Sequence, residues 1–153
     1  MKLSGLKFST AIVAVVGCLL VVGCKQSGPE LVRVEGTVTM DGKPLANASI
    51  EFAPAPGTNA TTSYGVTDSN GHYVMEFSDT RSGVMPGKYI VRISTEQVDE
   101  ETGSIKQKET VPAKYNVNSE LVVEVKPGGG PYDFQLDSKG KIVTDAETEG
   151  DDS

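Results

Sequence analysis

From Val32 to Leu136 the apolar side chains recur at every second position, and this period restricts the chain to extended structure more tightly than any other feature of it. Val32, Val34, Val38 and Met40 alternate with Arg33, Glu35, Thr37 and Thr39, and Ile50 and Phe52 alternate with Ser49 and Glu51. Tyr64 and Val66 predict an inward row on a short third strand; Tyr73, Met75 and Phe77 predict one on a fourth, with His72 and Glu76 facing out. The rows Tyr89, Val91, Ile93, then Leu121, Val123, Val125, then Tyr132, Phe134, Leu136 complete seven half-buried strands. Asp41-Gly42 and Asn70-Gly71 accept the positive φ of tight hairpins. Pro86-Gly87 precedes the fifth strand, and the run from Pro127 to Pro131 parts the sixth from the seventh. No stretch offers an amphipathic helix of three turns. The pattern predicts an all-β fold, a seven-stranded antiparallel Greek-key β-sandwich around one core, over residues 31–137.

Three stretches carry a resemblance within that frame: VEGTVTMDGKPLANASIEF (34–52), VTDSNGHYVMEF (66–77) and MPGKYIVRI (85–93). Together they resemble the carboxypeptidase regulatory-like domain, a transthyretin-like (prealbumin-like) β-sandwich. The matching positions are Gly36 and Val38; Gly42, Pro44 and Leu45; Ala48; Thr67, Asp68, Gly71 and Tyr73; and Pro86, Gly87 and Tyr89. VPAKYN (111–116) is similar to a segment of small bacterial surface lipoproteins that carry this domain alone. The resemblance implies an accessory or binding module with little chemistry of its own. The residue types agree: glycine serves positive φ, Asp68 suits an Asx turn, and tyrosine buries a ring while keeping its hydroxyl at the rim.

The first residues address a different question. Lys2 and Lys7 precede an uncharged run from Phe8 to Val22, then small Gly23 and Cys24, after which Lys25-Gln26-Ser27-Gly28-Pro29 turns polar. That order of charge, grease and small residues is the shape of a secretory signal peptide, and the run is shorter than the about 20 apolar residues a spanning helix needs. Val21-Val22-Gly23-Cys24 resembles the lipobox of bacterial lipoproteins. The resemblance implies cleavage between Gly23 and Cys24, acylation of Cys24, and a lipid bilayer as the first partner. Cys18 ends a matching tetrapeptide, but cleavage there would leave Leu19-Leu20-Val21-Val22 at the start of the mature chain. The expected organisation is a signal peptide (1–23), a tether (24–30), the sandwich (31–137) and an acidic, disordered tail (138–153). Lys25 stands where an acid would retain some lipoproteins at the inner membrane, so the resemblance implies the outer membrane or cell surface of a bacterial envelope.

Charge and cysteine narrow the function. Two lysines leave with residues 1–23 and no acid does, so the formal charge moves from −7 to −9. Such a surface disfavours nucleic acid, which demands clustered Lys and Arg. With Cys24 acylated no thiol is left for a disulfide or a metal. His72 is the single histidine, on the polar face of its strand, and transthyretin-like hydrolases use several. Asp68-Ser69-Asn70-Gly71 is similar to the start of a calcium loop, but the twelfth position falls at Asp79, beyond a strand. Gly128-Gly129-Gly130 lacks the Lys-Ser/Thr and helix of a phosphate loop.

These features predict no catalytic residues, no metal, no cofactor and no enzyme. The expected function is a non-catalytic envelope module that binds a protein or glycan partner or serves the surface structurally. A calcium-stabilised adhesion module and, further off, a hydrolase are the other readings. The segment expected to carry recognition is the long connection from Glu96 to Asn118, because long loops on rigid scaffolds often do. Its candidate binding residues are Glu96, Asp99, Glu100, Glu101, Lys106, Lys108, Lys114 and Tyr115. Its acidic first half and basic second half would alternatively pair within a hairpin.

Overall fold

A computed structural model describes residues 28–78 and 80–144. The elements in chain order are β1 (Val34–Met40), β2 (Lys43–Pro44), β3 (Ser49–Pro54), β4 (Ser63–Val66), β5 (His72–Val74), β6 (Glu76–Ser78) and β7 (Arg81–Ser82). They continue with β8 (Gly87–Ser94), β9 (Gln97–Val98), β10 (Ile105–Gln107), a 3₁₀ turn (Ala113–Tyr115), β11 (Val122–Val125), β12 (Gly130–Pro131) and β13 (Phe134–Leu136). The chain is all-β, as the alternation predicts, with two main sheets. One sets β1 between β5 and β2 on one side and β12 and β13 on the other; the second runs β11-β8-β3-β4-β6-β7. The pairings are antiparallel except that β1 runs parallel to β12 and β13, Val38 opposite Phe134 and Met40 opposite Leu136.

The core between the sheets takes the inward rows of β1 (Val34, Val38), β3 (Ile50, Phe52), β8 (Tyr89, Val91, Ile93) and β13 (Phe134, Leu136), with Tyr73 and Met75. Phe52 lies 5.8 Å from the Tyr89 ring and 6.3 Å from those of Tyr132 and Phe134, edge-on to the latter two. Those separations are where aromatic pairs contribute about 0.5–1.5 kcal/mol each beyond burial.

Expectations for two of the predicted strands change. Tyr64 and Val66 face out, 60% and 63% exposed, while Ser63 and Gly65 face in. Strand pairing decides this: Phe52 stands opposite Ser63 and Ile50 opposite Gly65, and directly paired residues share a face. With Ile50 and Phe52 in the core, β4 must turn its small residues inward. A Cβ on Gly65 would come within 3.0 Å of Met75 Sδ and Val74 O, so the missing side chain makes room for Met75. The expected fourth strand also divides at Met75: its N–H donates to Val34 O at 2.9 Å, and its carbonyl accepts from Gly83 N at 2.8 Å. β5 therefore lies on β1, and β6 continues into the other sheet beside β4.

The strand registers give the sandwich two ends. One gathers the start of β1 beside Val84, through the Val32–Val84 bridge, with Arg33 O accepting from Gly130 N and Val125 opposite Gly87. This end receives the chain at Gly28, so it is the tether end. The opposite end holds the Asp68–Gly71 turn and the paired Ser49 and Ser94, beyond which the chain runs into the β9–β10 hairpin. Of the tail expected at 138–153, Ser138 N donates to Asp41 Oδ1 at 3.1 Å and Lys141 O accepts from Ala113 N at 2.8 Å. Residues 138–141 are thus bonded to the sandwich, and 145–153 lie outside the described residues.

Candidate functional site

The Thr67–Tyr73 stretch shows what its motif does. Thr67 is buried, and its Oγ1 accepts from Ala48 N at 2.8 Å. Asp68 Oδ1 accepts from the amides of Asn70 (2.8 Å) and His72 (3.0 Å), the expected Asx turn. Gly71 has φ of +74°, and a Cβ there would run into the carbonyl of Val38. The Tyr73 hydroxyl donates to Tyr132 O at 2.6 Å, and burial pushes its pKa up. Thr67 Oγ1, Asp68 Oδ1 and the Tyr73 hydroxyl are thus all bonded into the scaffold. Asp68 Oδ1 is occupied by the turn's own amides, and Asp79, the twelfth position counted from it, lies outside the described residues. His72 Nε2 stands 3.8 Å from Glu35 Oε2 at the surface.

The long connection closes on itself. Asp99 Oδ1 accepts from the amides of Glu101 (3.0 Å) and Thr102 (2.9 Å), and Lys106 Nζ lies 2.7 Å from Asp99 Oδ2. Lys106, then Thr102, holds the Asp99 carboxyl at about 2, below the ordinary range. One acid and one base of the two halves thereby pair across β9 and β10, where Val98 stands opposite Ile105 with both half-exposed. Glu100, Glu101 and Lys108 are exposed, whereas Glu96 is half-buried at the hairpin root, where its amide donates to Ser94 Oγ at 3.1 Å.

Lys114 and Tyr115 belong to a different group. Lys114 Nζ reaches Asp137 Oδ1 and Oδ2 at 2.8 and 2.9 Å, and the Tyr115 hydroxyl donates to Asp137 Oδ2 at 2.9 Å. The ammonium, followed by the phenol, holds the Asp137 carboxyl at about 2, and the same pair raises the Lys114 pKa. The eight candidate residues therefore fall into a hairpin set and a clasp set, with Val111 and Ala113 buried next to the clasp.

The residue that joins the connection to β8 is Glu109, which the candidate residues of the connection did not include. It is 6% exposed with no cation bonded to it among the described residues. Oε1 accepts from Thr95 N (3.0 Å), Thr95 Oγ1 (2.9 Å), Thr110 N (2.8 Å) and Val111 N (2.8 Å). Oε2 accepts from Ser94 Oγ (2.6 Å) and Asn116 Nδ2 (2.7 Å). Burial works to raise the Glu109 pKa. The bonds from Ser94, Thr95 and Val111 outweigh it and leave the pKa below the usual value. The one local cue is an acid two positions before a buried valine and a proline.

Among the described residues, the outer face of the larger sheet and a groove beside it are open. The outer face of the larger sheet carries Val122 beside Ile90, Ile90 beside Ala53, and Tyr64 beside Glu51, whose carboxylate lies 3.5 Å from Arg92. A groove of about 640 Å³ at the tether end is lined by residues that include Lys88, Val122, Glu124 and Lys126. Among the described residues no three His, Cys, Asp or Glu gather as a metal site, and no helix is long and apolar enough to cross a membrane. Gly23 and Cys24 lie outside the described residues.

No family model matches the chain, and no curated protein matches it. It is similar to a solved structure, a 9R-lipoxygenase from Cyanothece PCC8801, at 17% identity and a TM-score of 0.40, over 70% of this chain and 16% of that one. The chain thus spans about a sixth of the length of that lipoxygenase.

Proposed function

We propose that the protein is a lipid-anchored envelope lipoprotein whose single β-sandwich is a non-catalytic binding or structural module for a protein or glycan partner. The anchor rests on the Val21-Val22-Gly23-Cys24 step, and the transthyretin-like kinship on the three matching stretches. The observation that carries the non-catalytic part is the commitment of Glu109, Asp137, Asp99 and Asp68 to scaffold donors. A general base or metal ligand needs lone pairs facing a substrate; these face backbone amides, hydroxyls and lysines. The outer sheet face, with Tyr64, Val66 and Val122 exposed, is the surface offered for contact. Intact mass of the protein from its native membrane fraction, with mapping of its first peptide, tests the anchor: an acylated chain starting at Cys24 is expected, and an unmodified chain starting at Met1 refutes it. Turnover of an envelope substrate that persists through purification refutes the non-catalytic reading.

A further inference from the structure

Gly28 and Pro29 lie against Arg81. The Arg81 Nη2 donates to Pro29 O at 2.9 Å, its guanidinium sits 5.5 Å from the centre of the Phe77 ring, and a Cβ on Gly28 would collide with its Nη1. The clamp fixes the chain ahead of the Val32–Val84 bridge, the first strand pairing among the described residues. Its consequence is a matter of length. Four Cα steps separate Cys24 from Gly28, a reach of at most about 14 Å, whereas release back to Val32 doubles this to about 28 Å. The eight residues of β8 run from the tether end to the hairpin end, seven Cα steps or about 23 Å at strand rise.

We propose that Arg81 is a positioning residue that keeps the tether end of the sandwich against a lipid bilayer and the β9–β10 hairpin directed away from it; this rests on the reading of Cys24 as the acylated anchor. A leash of about 14 Å is shorter than the sandwich, so the body cannot stand inverted with its hairpin end on the membrane and its tether end away from it; one of about 28 Å exceeds that length and lets the body turn over. Charge acts in the same direction. Arg81, Lys88 and Lys126 stand at the tether end with Glu30 and Glu124, while Arg33 is paired to Glu35. On the hairpin Asp99 is paired to Lys106, which leaves Glu100 and Glu101 exposed with Lys108 as the next base in sequence, so an anionic bilayer attracts the first group and weakly repels the second within a Debye length.

The test uses the full-length, acylated protein in phosphatidylethanolamine–phosphatidylglycerol vesicles that contain a nitroxide-headgroup lipid. Processing removes Cys18 and acylation occupies Cys24, so Ser82→Cys and Ser104→Cys, both at exposed positions, each supply one thiol for a fluorophore. Quenching at position 82 is expected to exceed that at 104 several-fold. Arg81→Gln should bring the ratio towards one with the protein still in the membrane. Inserting eight Gly/Ser residues between Ser27 and Gly28 should do the same without touching the fold. Equal quenching at both positions in the unaltered protein, or a ratio that survives either Arg81→Gln or the insertion, overturns the proposal. A chain whose mass carries no acyl group sinks the anchor reading instead, so the two failures are told apart.

Discussion

Glu109→Gln isolates the charge of the buried carboxylate while keeping its shape. In the unaltered protein six hydrogen bonds from five residues converge on it, four at Oε1 and two at Oε2. A hydrogen bond to a charged acceptor contributes about 1.5–3 kcal/mol and a neutral one about 0.5–1.5 kcal/mol, so each bond weakens by roughly 1 kcal/mol in the amide. The amide nitrogen would replace Oε2, where Ser94 can rotate its hydroxyl to accept and Asn116 must turn its amide to present oxygen. Relief of the desolvation cost of a buried charge offsets part of the loss. The balance is a destabilisation of about 2–3 kcal/mol, which for a domain of about 100 residues lowers Tm by about 10 °C or more. Acid behaviour supplies the second readout. The folded pKa of Glu109 lies below its ordinary 4.5. Its contribution is therefore complete above about pH 4.5 and is lost as pH falls through the folded value. Thermal melts of the full chain from pH 7 to pH 3 should show the difference between unaltered protein and Glu109→Gln shrinking across that acid limb. Equal Tm values at pH 7, or a gap that persists unchanged at pH 3, would show that no ionised carboxylate holds the connection to β8.

Three further outcomes follow from the packing. Ser63 is fully buried and its Oγ has no hydrogen-bond partner among the described residues, so Ser63→Ala should raise stability by about 1 kcal/mol in urea unfolding; a loss of stability would reveal a further partner. Gly71→Ala combines a left-handed φ of +74° with a Cβ driven into Val38 O. It should cost about 2 kcal/mol or more, whereas a neutral result would contradict the close approach of the turn to β1. Tyr64→Ser with Val66→Ser should stay within about 0.5 kcal/mol for each substitution, as for other surface positions; a loss of core magnitude would restore the inward row that alternation predicts for β4.

How much was legible in the sequence depended on the range of the cause. Alternation placed Val34, Val38, Ile50, Phe52, Tyr89, Val91, Ile93, Phe134 and Leu136 in the core, because side-chain direction along a strand is a local property with period two. Turn chemistry is equally local, and Asp68 bonds the amides of Asn70 and His72 as its identity dictates. The oppositely charged pair of the hairpin was also readable, since Asp99 and Lys106 lie in one connection and opposite charges seven residues apart meet once it folds back.

Tertiary structure decided what no local pattern carries. The face of β4 was set by its register against β3, which placed Gly65 under Met75 and sent Tyr64 and Val66 to solvent although they are the larger apolar residues. Hydrophobicity ranks residues one at a time, but a core has a fixed volume, and Met75, Tyr73 and Phe52 had already filled it. The division of the fourth strand at Met75 and the parallel docking of β13 on β1 depend on sheet order in the same way. Glu109 and Asp137 became hubs only because chain closure brought Ser94, Thr95 and Asn116 to one carboxylate and Lys114 and Tyr115 to the other. A single sequence fixes which groups can donate and accept; the fold alone brings together those far apart in the chain, because a buried carboxylate is tolerated only where enough donors converge.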